Sequence, residues 1–108
     1  MSASDQQTGD NVKDRVDPKL VPKNDEPTLY KVILLNDDYS TMDFVIHVLE
    51  DVFQKSPAEA YRIMMQVHQL GSGVAGVYPW EVAETKAETV ATMAKTAGFP
   101  LRAVTEEA

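Results

Sequence analysis

The chain has 108 residues, of which 44% are hydrophobic and 25% charged, a composition that supports one small globular domain with one modest core. Lys and Arg number 10 against 17 Asp and Glu, a formal net charge of -7, and no basic cluster offsets that field, which argues against nucleic acid as a partner. The absence of cysteine excludes disulfides and thiolate chemistry, and with no basic-then-apolar leader and no bilayer-length apolar run the expectation is a cytoplasmic protein with no membrane attachment.

Residues 1–28 hold Pro18, Pro22 and Pro27, few large apolar side chains, and six acids against four bases. Such a segment cannot bury a core, and the sequence predicts a flexible extension ahead of a folded domain over residues 29–108. Tyr30–Leu35, YKVILL, is β-branched and aromatic, as a largely buried strand requires. Asn36 to Thr41 forms a turn. Ser40 followed by Asp43 has the spacing of a capping box, and Val45, Val48, Leu49, Val52 and Phe53 recur at helical intervals, so a first helix is predicted from about Met42 to about Gln54. A second helix begins more sharply, with Ser56 as cap, Pro57 in the first turn and Glu59 three residues after the cap. Its apolar face is Ala60, Ile63, Met64 and Val67, and Gly71 supplies the stop.

Gly73–Tyr78 reads as a second strand, with glycines where backbones approach closely. Pro79 opens a third helix along Val82, Val90, Met93, Ala94 and Ala97, which ends at Gly98 to Pro100. A short last strand over Leu101–Thr105 completes the order βααβαβ. The expected architecture is α+β, with a small three-stranded antiparallel sheet packed against three helices.

The chemistry-bearing residues are few. There is no nucleophile elbow, no phosphate-cradling glycine loop and no His-x-x-x-His pair, so an enzyme is not indicated. Asp37, Asp38 and His68 are too few ligands to indicate a metal site, and no cofactor motif is present. Asn36, Asp37 and Asp38 directly follow an apolar strand. On spacing alone they read as a solvated turn with side chains bonded to nearby amides, or as acceptors for a cationic group with an apolar neighbour. The paired Met64 and Met65 suit a core, and flexible thioethers also suit a pocket that accepts several apolar shapes.

The runs LYKVILLNDDYSTMDFVIHVLEDVF, AYRIMMQVHQLGSGVAGVY, EVAETK and FPLRAV, in this order from Leu29 onward, resemble the ClpS adaptor family. The combination of NDDY, VH and VAETK is more specific than any one of them. The resemblance implies an adaptor, not an enzyme, that binds the free first residue of N-degron substrates, Leu, Phe, Tyr or Trp, and delivers them to a Clp AAA+ unfoldase and its peptidase. It implies that Asn36, Asp38 and His68 contact the α-ammonium, with Asp37 supporting the turn or adding field. A carboxylate at short range suits that charge.

By the same resemblance Leu34, Ser40, Met42, Val45, Met64, Val67 and Leu101 form the side-chain pocket, in which Met42 crowds β-branched residues. Such shape discrimination is typically about 1–3 kcal/mol. Glu81 and Lys86 would dock on the N-terminal domain of a ClpA-like unfoldase, and the protein would act as a monomer without metal or cofactor. Thr41 stands where many relatives carry Pro, and Ser40 where Thr is commoner, which implies a looser loop and a shifted preference among first residues. The alternative is an unfoldase-modulating module of the same architecture that does not bind degrons.

Overall fold

The computed structural model describes residues 26–108; the predicted extension falls outside them except for its last three positions. The apolar run after Thr28 forms β1 (Leu29–Leu35), followed by α1 (Met42–Asp51), α2 (Pro57–Leu70), β2 (Ser72–Pro79), α3 (Trp80–Ala97) and β3 (Arg102–Glu107). The sheet order is β2-β1-β3, with both neighbours antiparallel to β1. This is the expected α+β architecture in the expected element order. β1 is the most apolar strand because it is the central one: it has no free edge, and Val32 and Leu34 are fully buried beneath the helices. Alternate residues Lys31, Ile33 and Leu35 point to the other face and stay half-buried.

Along β2 the pairing shifts between Val32 and Ile33, which face Gly76 and Val74 respectively. Ala75 is thus the extra residue of a bulge, and it is fully buried. Gly73 is where β2 meets α2 most closely. A Cβ there would stand 3.0 Å from Val67 Cγ2 and 3.4 Å from the Ile63 carbonyl oxygen, so the missing side chain lets α2 lie tightly on the sheet.

The helix boundaries correct several expectations. α1 is capped by Thr41, not Ser40: Thr41 Oγ1 accepts from the Phe44 amide at 3.1 Å. The helix ends at Asp51, three residues before Gln54, and Gln54 itself adopts a left-handed φ of 53° in the turn to α2. The start of α2 is as read, with Ser56 Oγ accepting from the Glu59 amide at 3.2 Å and Gly71 closing the helix at φ 93°. Pro79 ends β2 and precedes the first helical residue of α3 instead of occupying it. β3 begins one residue later than expected, at Arg102, and continues to Glu107. Its acidic end is held by pairing with β1, where Glu106 lies directly opposite Lys31.

One contiguous core joins the layers. β1 contributes Val32 and Leu34, α1 Val48 and Leu49, α2 Ile63, Met64 and Val67, and α3 Ala83, Val90 and Ala94. Aromatic pairs close the margins: Tyr30 meets half-exposed Trp80 edge-on at 5.0 Å, and Phe44 meets Phe99 at 4.8 Å.

Candidate functional site

At the C-terminal end of β1 the chain leaves the sheet and must turn at once into α1. Asn36 makes the first connection through its backbone, its N–H donating to the Gly71 carbonyl at 2.9 Å. This bond joins the end of the central strand to the end of α2. Asp37 then shapes the turn: its Oδ1 accepts from the amides of Tyr39 at 2.8 Å and Ser40 at 2.6 Å, the local bonding expected of an aspartate in a turn. The carboxylate also accounts for Ser40, which is absorbed into this turn and leaves the helix cap to Thr41.

Burial pushes the Asp37 carboxyl up, but the Ser40 backbone amide, the adjacent Ser40 hydroxyl and the Tyr39 amide outweigh it and hold its pKa below the ordinary 3.8. The hydroxyl acts by proximity only, since Ser40 Oγ and Asp37 Oδ2 are both buried without a hydrogen-bond partner. A depressed folded-state pKa means that the ionised carboxylate stabilises the fold above the ordinary value, and this contribution is lost as pH falls through the lower folded value. Asp37→Asn is therefore expected to flatten the decline of the urea midpoint measured from about pH 5 to pH 2. An unchanged decline would remove the carboxylate from the turn's support.

Beneath this turn lies a cavity of about 240 Å³. Its polar lining comes from Asn36, Asp37, Asp38 and Ser40 of the turn together with His68 of α2. Its apolar lining comes from Met42 and Val45 of α1 and from Met64 and Val67 of α2. Helical spacing explains the α2 contribution, because residues 64, 67 and 68 share one face. Met64 and Val67 are buried, while His68, nearer the helix end, is exposed at the rim. None of the side-chain hydrogen bonds among the described residues engages Asn36, Asp38 or His68.

The structure thus brings together nine of the eleven residues named from sequence for ammonium and side-chain binding. The other two, Leu34 and Leu101, stand outside the lining, at 0% and 3% exposure in the core. Leu101 also precedes β3 instead of opening it.

Glu81 and Lys86 line a separate shallow hollow with Val82 and Thr85 on α3. Glu81 is exposed. The Lys86 ammonium turns inward, donating to the Val52 carbonyl at 2.6 Å and to Gln54 Oε1 at 3.2 Å. It also lies 5.2 Å from the Tyr78 ring and 5.9 Å from the Phe53 ring. Lys86 therefore satisfies a carbonyl at the end of α1, a role that sequence reasoning missed. Its partner carbonyl lies 34 positions away, and no local signal marks such a bond. Among the described residues, no group of three or more His, Asp or Glu side chains is placed to hold a metal ion, and no helix is long and apolar enough to cross a membrane.

The fold and this cavity define a small α+β domain whose polar-rimmed hollow has an apolar wall and is bordered by Asn36, Asp38 and His68, side chains that carry no hydrogen bond among the described residues. The family model for the ATP-dependent Clp protease adaptor protein ClpS matches residues 25–104. Among curated relatives, the ClpS adapter protein of Wolinella succinogenes is 57% identical over 82 residues, covering 76% of this chain and 80% of the relative. That of Phenylobacterium zucineum is 47% identical over 100 residues, covering 93% and 92%. Agrobacterium tumefaciens ClpS2, whose structure was solved bound to L-phenylalaninamide, superposes with a TM-score of 0.74 at 47% identity, over 77% of this chain and 100% of that one. The chain belongs to the ClpS family. It is an adaptor of the Clp protease, not the protease itself.

Proposed function

We propose that this adaptor, through its domain over residues 29–108, binds the free N-terminal residue of degradation substrates and delivers them to the Clp unfoldase and peptidase. The observation that carries the reading is the combination of the Asn36, Asp38 and His68 side chains, unbonded among the described residues, with the apolar cavity they border. An α-ammonium needs short-range acceptors and gains from a carboxylate. Asp38 supplies charge, Asn36 an amide oxygen, and His68 a ring-nitrogen acceptor. Asp37, already bonded to the turn, holds the loop in place and adds field.

The cavity is smaller than the roughly 300–1,000 Å³ of drug-sized ligand sites. Its size and the Met42, Val45, Met64 and Val67 lining suit a single Leu, Phe, Tyr or Trp side chain. The ligand held by the Agrobacterium relative has the same parts, a free α-amino group beside a benzyl side chain and an amide in place of the first peptide bond. Leu34 and Leu101 support the pocket from the core. The exposed Glu81, with Lys86 fixed beside it, is the docking point for the N-terminal domain of a ClpA-like unfoldase. The protein works as a cytoplasmic monomer and performs no catalysis of its own.

The test is a titration of labelled peptides that begin with Phe or Leu, in free and N-acetylated forms. Acetylation removes the charge and leaves Asp38 facing a neutral amide, an expected loss of about 2–5 kcal/mol. Equal affinity for the two forms would end the ammonium assignment.

A further inference from the structure

Cysteine is absent from the chain, so the reactive sulfur of this protein is all thioether. Of the four methionines among the described residues, Met64 is 3% exposed and Met65 and Met93 are half-buried, whereas Met42 is 46% exposed. Met42 is also the first residue of α1 and lines the cavity beside the polar rim. The most exposed of these methionines is thus part of the apolar wall that the ligand's side chain must touch.

We infer that Met42 is an oxidation site through which peroxide closes the pocket to apolar first residues. The inference rests on the peptide-end reading above and adds a mode of regulation to it. In the step, a lone pair of the Met42 sulfur attacks one oxygen of a hydroperoxide. An S–O bond forms and the O–O bond breaks; with hydrogen peroxide the departing hydroxide takes up the proton of the attacked oxygen and leaves as water, so sulfur is oxidised to the sulfoxide and the peroxide is reduced. The sulfoxide turns a flexible apolar side chain into a polar one. Its oxygen is hydrated in the open cavity and must shed that water against an incoming leucyl or aromatic group that offers no donor. Met64, buried in the same wall, is shielded from the oxidant by the protein around it, so the change falls on one side of the pocket and leaves the core intact. Because sulfoxides are reduced enzymatically, the block is reversible.

The experiment treats the full chain with graded hydrogen peroxide and maps sulfoxides by peptide mass spectrometry. Binding of a labelled peptide with a free N-terminal Phe is then measured on the same samples. Met42 sulfoxide is expected to accumulate ahead of sulfoxides at 64, 65 and 93, affinity to fall about tenfold in step with it, and methionine sulfoxide reductase to restore both. Met42→Leu, whatever affinity it starts from, is expected to show no change on peroxide treatment. Oxidation of Met64, Met65 or Met93 before Met42, unchanged affinity at high Met42 sulfoxide occupancy, or an equal loss in Met42→Leu would each overturn the inference while leaving the peptide-end reading standing. Failure of the untreated protein to bind the peptide would overturn that reading, and the inference with it.

Discussion

Asp38→Ala is expected to weaken binding of a peptide with a free N-terminal Phe by about 10- to 150-fold, the equivalent of a charge-assisted hydrogen bond of roughly 1.5–3 kcal/mol. The side chain is exposed, lines the cavity and has no bond to the turn around it, so its removal leaves the scaffold alone; the urea midpoint is expected to shift by no more than about 0.5 kcal/mol in free-energy terms. Asp37, one residue earlier, predicts the opposite distribution, because its carboxylate is spent on the amides of Tyr39 and Ser40. Fluorescence anisotropy and urea unfolding on the same samples separate the two. An Asp38→Ala protein with undiminished affinity would leave the rim without its charged contact and return the site to a plain solvated turn.

Leu34→Ala is expected to lower the unfolding free energy by about 2–5 kcal/mol, a large share of the roughly 5–15 kcal/mol typical of a small domain. Leu34 is fully buried in the central strand, and strands on both sides limit how far the site can collapse around the lost atoms. Urea unfolding measures the cost. The variant also decides how Leu34 acts on the cavity. A residue outside the lining alters the fold's stability while the ranking of peptide first residues stays the same. A changed ranking in protein that is still folded would make Leu34 a wall of the pocket after all.

The sequence was most legible where side-chain chemistry is local. Ser56, Pro57, Glu59 and Gly71 bracket α2 as read, because a cap, a proline in the first turn and a left-handed stop each act within a few residues. α1 was harder. Ser40 and Thr41 are adjacent hydroxyls, and which one caps depends on Asp37, whose carboxylate claims the Ser40 amide. The length of β3 was not legible from composition, since glutamates are poor strand formers; Glu106 and Glu107 are extended because β1 pairs with them.

The site divides along the same line. The residues that line the cavity were named from the resemblance of the motifs, and helical spacing alone relates Met64, Val67 and His68. Nothing in the spacing says that Asn36 comes to lie near the end of α2, because that contact is a tertiary backbone bond. The inward turn of Lys86 was equally hidden. A lysine on a charged helix face reads as solvated, and only the fold brings the open end of α1 within its reach.

The bond from the Asn36 amide to the Gly71 carbonyl has a practical meaning for anyone who would re-engineer this adaptor. It is made by main chain on both sides, so it survives replacement of any side chain around the cavity except by proline at position 36, which would delete the donor. Framework and recognition surface are accordingly separable at the exposed positions: Asn36, Asp38, Met42 and His68 can be rewritten one at a time, as in a library of pocket variants, while the two supports that carry them stay fastened together.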